Sequence, residues 1–194
     1  MTVLIYLHGF LSSPESTKAI QVKDWLTHNR PDIEYLCPAL SSYPKQAIAT
    51  LDQLMRERQA EKLMLMGSSL GGYWATWLAE QYDVPAVLIN PLVHPSVLKE
   101  KYVGVPLRNY HTREAYLLTD EDMHALSSVE VEKIVDDSRF WLMVQTEDES
   151  LDYRFAVKKY KGSRQLVEEG GNHSFENFSD WIPSAIEFLE AKVR

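Results

Sequence analysis

The sequence predicts an α/β fold: a single domain, 1–194, in which about six mostly parallel strands carry helices on both faces. Three observations support this. Short apolar runs without polar alternation are typical of strands that are buried on both faces. These runs alternate with segments whose apolar residues recur at helical spacing. At 194 residues, the chain is long enough for one sizeable core and short for two.

Strands are predicted wherever apolar and β-branched residues run together, at 3–7, 33–37, 62–66, 84–89, 139–146 and 164–168. Helices are predicted at 16–29, 45–59, 70–82, 151–159 and from the loop after the last strand to about 192. Pro31 ends the first helix, and Pro91 ends the fourth strand. Pro183 is expected to kink the last helix or divide it in two.

The alternation of strands and helices is interrupted at about 94–137, where some 44 residues precede the next strand. An ordinary crossover between parallel strands needs far fewer. This insertion carries Tyr102, Tyr110 and Tyr116, and a capped helix is expected at 119–126. It would either form a lid over a site or pack as a helix with extended connections on the edge of the sheet.

The composition limits the compartment and the partners. The formal net charge of −8, without a cluster of Lys and Arg, argues against a nucleic-acid surface. No apolar run reaches the roughly 18 residues of a membrane-spanning helix, and the N-terminus lacks the pattern of a signal peptide. The single cysteine, Cys37, has neither a disulfide partner nor metal-site spacing. A soluble protein of the reducing cytoplasm is expected.

A sharp turn is expected where the third strand meets its helix. Here Gly67-Ser68-Ser69-Leu70-Gly71 matches the pattern G-x-S-x-G, in which the central serine occupies a strained backbone conformation and its neighbours must be small. The strand before and the helix after provide the context that the pattern requires. Ser69 is the predicted nucleophile, because it alone of the two serines has glycine at both the second position before and the second position after.

A serine hydroxyl is a poor nucleophile at neutral pH, so Ser69 needs a general base and an acidic group that orients this base. His173 is the predicted base, because it follows the last strand on the same side of the sheet as Ser69 and is approached through Gly170 and Gly171. Of the other histidines, His8 is expected to brace the loop after the first strand by hydrogen bonds, and His28 to be solvated near a helix end. The three in the insertion could at most contact a substrate: His94, His111 and His124.

The acidic group is expected in the loop after the strand at 139–146. Four acidic residues stand close together there: Glu147, Asp148, Glu149 and Asp152. Asp148 is favoured because the acid generally stands about three residues beyond the strand end, and Glu147 is the alternative. The order of serine, acid and histidine along the chain is diagnostic of one fold.

Backbone N–H groups are needed to stabilise the negative charge that develops on oxygen during acyl transfer. Leu70 supplies one such donor, since it follows the nucleophile at the start of a helix. The second is expected from Phe10, in the loop His8-Gly9-Phe10 after the first strand, where Gly9 permits an unusual backbone path.

Taken together, His8-Gly9-Phe10, the Ser69 turn, Asp148 and His173 make the chain resemble the α/β-hydrolase superfamily over nearly its whole length. The opening Tyr-Leu-His-Gly-Phe-Leu-Ser-Ser-Pro and the Gly-Gly-Asn-His-Ser-Phe near the end are most similar to small bacterial YqiA-type esterases. The resemblance implies a three-layer fold with a helical insertion before the strand that precedes the acid. Two departures are noted: the sheet is truncated at its start, and Gln145 stands where many relatives have glycine.

The resemblance implies a serine hydrolase that cleaves small or acyl-chain carboxylic esters through an acyl-enzyme on Ser69, with no cofactor and no metal. The expected partner is a small-molecule acyl ester or thioester. Two alternatives stay open: an acyl-thioesterase with the same residues, and a non-catalytic binding protein on a hydrolase fold.

Overall fold

The structure, a computed structural model, describes residues 1–193. Its strands are β1 (Thr2–Leu7), β2 (Ile33–Leu36), β3 (Lys62–Ser68), β4 (Ala86–Ile89), β5 (Pro106–Arg108), β6 (Ala115–Leu117), β7 (Phe140–Gln145) and β8 (Arg164–Glu168). Six of them form one sheet in the order β2-β1-β3-β4-β7-β8, and all neighbours in it are parallel. The remaining two, β5 and β6, form a small antiparallel hairpin.

The helices are α1 (Thr17–Asn29), α2 (Pro44–Arg58), α3 (Leu70–Tyr82), α4 (Ser96–Tyr102), α5 (Asp120–Ser127), α6 (Tyr153–Lys159) and α7 (Phe178–Lys192). They cover both faces of the sheet, because side chains of successive strand residues point to opposite sides. Buried residues of α1 and α7 pack on one face, and those of α2, α3, α5 and α6 pack on the other. None of the helices within 1–193 is long and apolar enough to cross a membrane.

The strand order places the carboxyl ends of β1 and β3 side by side. The two strands pair from Thr2 with Lys62 to Leu7 with Gly67, so the loops that follow them start at the same edge of the sheet. The chain runs from β1 to β2 on one side and then continues from β3 to β4 on the other. Ligand sites of open α/β sheets lie at such a switch point.

The predicted α/β architecture is confirmed, and most element boundaries lie within two residues of those expected from the sequence. Pro183 does not divide the last helix in two, because α7 continues through it as one helix. The kink expected at Pro183 stays a prediction. The buried face of α7, which includes Ile182, Ala185, Ile186 and Leu189, holds the segments before and after the proline against the sheet.

The insertion is built from α4, the β5–β6 hairpin and α5. Thr119 caps α5 as the sequence predicts: its Oγ1 accepts a hydrogen bond from the amide of Asp122, whose carboxylate accepts one from the amide of Thr119. Tyr73 of α3 donates its hydroxyl to the carbonyl oxygen of Leu126 at 2.6 Å, which ties α5 to the core. The insertion therefore packs on the helical layer next to the sheet. Its movement as a lid stays a prediction.

Candidate active site

Ser69 lies between β3 and α3 in a conformation that is rare for a residue with a side chain, with φ 57° and ψ −123°. The chain is crowded around this turn. A Cβ atom on Gly67 would lie 2.2 Å from the carbonyl oxygen of Gly71, and one on Gly71 would lie 1.9 Å from that of Leu7. Both positions thus exclude side chains, which explains the small residues on either side of Ser69.

His173 lies in the loop between β8 and α7, and its Nε2 atom is 3.1 Å from Oγ of Ser69. The loop turns through Gly170 and Gly171, which have φ angles of 83° and 74°. Such angles favour glycine because it has no Cβ. The structure therefore brings the predicted base within hydrogen-bonding distance of the predicted nucleophile.

Asp148 faces the other side of the His173 ring. Its Oδ1 and Oδ2 atoms lie 2.9 and 2.8 Å from Nδ1 of His173, and its side chain is only 2% exposed. Oδ1 also accepts hydrogen bonds from the amides of Ser150 and Leu151. These four contacts satisfy a buried carboxylate, which would otherwise be costly to desolvate. They also fix the direction in which it meets the imidazole.

The other acidic residues of this loop have different partners. Glu149 accepts a hydrogen bond from the backbone amide of His173, which lowers the pKa of its carboxyl group. Asp152 caps α6 and pairs with Arg154. Glu147 contributes its backbone amide, which donates to the carbonyl oxygen of Gly170. Of the four, Asp148 is the one whose carboxylate meets the His173 ring.

The amides of Phe10 and Leu70 lie on the two chain segments that meet at Ser69. Gly9 is close enough that a Cβ atom on it would lie 3.3 Å from Cβ of Ser69. Within residues 1–193, neither the Phe10 nor the Leu70 amide donates a hydrogen bond to a protein acceptor. Both N–H groups are therefore available to a ligand, as expected for donors to an oxyanion.

His8 braces the loop after β1, as predicted. Its Nε2 atom accepts the amide of Leu40 at 3.0 Å, so Nδ1 carries the proton and donates to the carbonyl oxygen of Gly9. Burial lowers the pKa of His8, which keeps the ring neutral and this pattern of hydrogen bonds intact. The backbone of the Gly9-Phe10 segment is held by this buried side chain.

Two buried polar residues organise the His173 loop, and the sequence reasoning did not assign either of them this role. Asn90 follows β4 with φ 40°, donates to the carbonyl oxygens of Asn172 and His173, and accepts the amide of Gln145. Gln145 accepts the amides of Asn172 and Glu176 through Oε1. Their position in the sequence could have indicated this role, because each is a polar residue at the carboxyl end of an apolar strand. Gln145, noted as a departure from related sequences, thus has a structural task.

The tip of the β5–β6 hairpin is fixed to the loop after β1. Asn109 is 5% exposed, donates to the carbonyl oxygen of Ser12 and accepts the amides of His111 and Thr112. The amide of Tyr110 donates to the carbonyl oxygen of Leu11. These bonds connect the insertion to the segment that carries the Phe10 amide.

Two pockets open at Ser69 and His173, which line both of them together with Phe10 and Tyr110. The apolar pocket, of about 140 Å³, is walled mainly by Leu70, Leu92, Val97, Leu98, Tyr102 and Leu151. The second pocket, of about 440 Å³, is called the polar pocket after Ser16, Thr17, Lys18, Gln21, Ser174 and Asn177, and it is also lined by the aromatic residues Tyr6, Phe175 and Phe178. Both pockets mix polar and apolar groups, and each contains one lysine: Lys101 in the smaller pocket and Lys18 in the larger.

The remaining predicted residues lie apart from the Ser69 hydroxyl or at its margin. His94 faces Glu130 and the ring of Phe155, His28 contacts the carbonyl oxygen of Asp24, and His111 lines the polar pocket. Cys37 is half-buried, and burial raises the pKa of its thiol to about 11. Residues 1–193 contain no cluster of His, Cys, Asp and Glu arranged to hold a metal ion.

The sheet, its crossover helices and the strained serine turn define an α/β-hydrolase fold, as the resemblance implied. The chain belongs to UPF0227, described as an uncharacterised protein family, whose model matches residues 3–190. The UPF0227 protein YcfP of Salmonella gallinarum is 27% identical over 183 residues, which cover 91% of this chain and 93% of that protein.

Solved structures share the fold at low sequence identity. Alpha/beta hydrolase domain-containing protein 10 from mouse superposes with a TM-score of 0.74 at 12% identity, covering 97% of this chain and 90% of that one. The esterase domain of a Rhodothermus marinus protein superposes with a TM-score of 0.67 at 15% identity, covering 98% of this chain and 85% of that one. Both likenesses extend over nearly the whole chain.

Proposed function

We propose that this protein is a serine hydrolase that cleaves small carboxylic esters through an acyl-enzyme on Ser69. The observation that carries the proposal is the continuous chain of contacts from Ser69 Oγ through His173 to Asp148, at 3.1 Å and 2.8 Å. The esterase domain from Rhodothermus marinus, which has the same fold, adds support by analogy.

In the first step, Nε2 of His173 accepts the proton of Ser69 while Oγ forms a bond to the carbonyl carbon of the ester. Asp148 keeps the proton of the imidazole on Nδ1 and stabilises the imidazolium that forms. The C–O bond to the alcohol then breaks, and His173 returns its proton to the departing oxygen. This leaves the acyl group on Ser69 and frees the alcohol.

The negative charge on the carbonyl oxygen is held by the amides of Phe10 and Leu70 in both tetrahedral intermediates. Water then attacks the acyl-enzyme, with His173 taking its proton and passing it to Ser69. Free acid and regenerated enzyme are the products, and every proton in the cycle passes through His173. Apart from the ester and the attacking water, the scheme uses only side chains and backbone amides of this chain.

The apolar pocket suits a short acyl chain. Its volume of about 140 Å³ is below the roughly 300 Å³ at which pockets for drug-sized ligands begin. Val97 and Leu98 of α4 close it from the side of the insertion. The insertion would then set the acyl length that the enzyme accepts.

The test is turnover of 4-nitrophenyl esters of increasing acyl length by the wild-type protein and by Ser69→Ala. We expect hydrolysis that is fastest for short chains and absent from the variant. Ser68→Ala is the matched control, because it removes a neighbouring hydroxyl and should retain most activity. If Ser68→Ala abolishes turnover and Ser69→Ala keeps it, the nucleophile is Ser68 and the proposal is wrong. Comparing kcat/KM for an ester and a thioester with the same acyl group tests the thioesterase alternative.

A further inference from the structure

The polar pocket beside Ser69 contains a lysine in an unusual setting. Lys18, in the first turn of α1, is half-buried, and its ammonium group donates to the carbonyl oxygen of Ser174 at 2.9 Å. An ammonium has three donors. Within residues 1–193 no carboxylate lies within ion-pair distance of this one, and Asp148, whose charge acts on it from further away, is already bonded to His173. A cation taken partly out of water normally has an anionic partner.

The lining of this pocket favours an anion. None of its residues is Asp or Glu, although the chain has 28 acidic residues against 20 basic ones. Hydroxyl and amide donors, including Ser16, Thr17 and Gln21, share the pocket with Lys18. A negatively charged group would find hydrogen-bond donors and a positive charge here, and no carboxylate of the lining would repel it.

The position of the pocket relative to His173 indicates which part of a substrate would enter it. Ser174, which holds Lys18, directly follows His173, the residue that returns a proton to the departing alcohol. The proposed function places the acyl part in the smaller, apolar pocket, which shares Ser69 and His173 with this one. The alcohol is therefore the part that would extend toward Lys18.

We propose that the Lys18 pocket binds an anionic group, a carboxylate or a phosphate, on the alcohol part of the ester. This proposal rests on the proposed function, since it assigns the substrate class of the same site. Lys18 acts as a specificity residue, and it is not needed for the chemical step at Ser69.

Its test compares two esters of butyric acid that differ in one charge: those of 4-hydroxybenzoate and of 4-hydroxybenzamide. For the wild-type protein we expect kcat/KM to be about tenfold or more higher for the anionic ester, through a lower KM, as a charged hydrogen bond would give. Lys18→Met should bring the ratio close to one and leave the neutral ester within about threefold of wild type. Lys18→Arg should keep the preference.

Lys101→Met is the matched control, because this exposed lysine lines the apolar pocket and lies over the ring of Tyr102. It should leave the ratio unchanged. A wild-type ratio near one would overturn the proposal. So would a loss in Lys18→Met that is equal for both esters, since Lys18 would then only fasten α1 to the His173 loop, or a preference that depends on Lys101.

A binding measurement keeps this proposal separate from the proposed function. Calorimetry with Ser69→Ala should detect 4-hydroxybenzoate and not 4-hydroxybenzamide, and adding Lys18→Met should abolish the difference. Selective binding without hydrolysis of any ester would contradict the proposed function alone. Hydrolysis without selective binding would contradict the Lys18 proposal alone. Comparing 4-hydroxyphenyl phosphate with 4-hydroxybenzoate shows which anion is preferred.

Discussion

Asp148 meets His173 with both carboxylate oxygens, at 2.8 Å and 2.9 Å from Nδ1, while one of them, Oδ1, also accepts the amides of Ser150 and Leu151. The two oxygens have different partners, so a substitution can change one set of hydrogen bonds and keep the other. An asparagine at this position can keep the Oδ1 bonds that shape the loop. It replaces Oδ2, which bonds only to the histidine, by an NH₂ group.

Asp148→Asn should therefore fold normally and lose turnover on the order of 10⁴-fold, as the equivalent substitution does in a serine protease. The charge that stabilises the imidazolium is gone, and the NH₂ group favours the wrong tautomer of His173. Ester turnover and the melting temperature are the measurements. Glu147→Gln and Asp152→Asn are the controls and should cost far less. A large loss in either control, with Asp148→Asn near wild type, would transfer the role of the acid.

The wall of the apolar pocket should set the acyl length. Val97→Phe places a ring in a pocket of about 140 Å³, so we expect butyrate turnover to fall roughly tenfold more than acetate turnover. The same substitution at Val105, which is 43% exposed on the insertion and does not line this pocket, is the control. An equal loss for both esters would mean that the acyl group lies elsewhere.

Asn109 should affect turnover through the loop that carries Phe10. Asn109→Ala removes its bond to Ser12 and leaves the amides of His111 and Thr112 without their acceptor, a loss of about 1–3 kcal/mol for each buried donor left unpaired. We expect kcat to fall roughly tenfold with KM little changed. Thr112→Ala, in the same turn, should not change kcat. A lower melting temperature with unchanged kcat would limit Asn109 to a structural role.

The preference for an anionic alcohol should decline as the pH rises. Burial lowers the pKa of Lys18 to about 8, against the opposing influence of Asp148, so its positive charge is present below this pH and lost above it. His173 and His111 also line this pocket, and a change in their protonation affects the hydrolysis of both esters, so it cancels in the ratio. The kcat/KM ratio of the two butyrate esters should thus fall through about pH 8. In Lys18→Arg the ratio should stay constant, because a guanidinium keeps its charge. A pH-independent ratio in the wild-type protein would contradict this assignment.

Much of the fold could be predicted from the sequence because buried parallel strands leave strong local patterns. The runs at β1, β3 and β4 are apolar on both faces. The glycines around Ser69 are required because a Cβ atom on either would lie about 2 Å from a backbone carbonyl oxygen. The spatial proximity of Asp148 and His173 follows from the strand order, since β7 and β8 are neighbours and their following loops start at the same edge.

The supporting residues could not be predicted, because their partners are distant along the chain. Asn109 bonds to Ser12, and Lys18 bonds to Ser174, across separations of 97 and 156 residues. No local spacing encodes such pairs. The continuity of α7 through Pro183 could not be predicted either: local sequence disfavours a helix there, but burial of the apolar face of α7 outweighs this preference.

The most direct test of the account is the site at which a fluorophosphonate probe attaches, determined by mass spectrometry of the digested protein. We predict a single adduct on Ser69 that disappears in Ser69→Ala, a variant whose melting temperature should stay close to that of the wild type. We also predict that His173→Gln reacts far more slowly, because the serine then lacks its base. An adduct that persists in Ser69→Ala, or a wild-type protein that resists the probe while it remains folded, would contradict the assignment of Ser69 as the nucleophile.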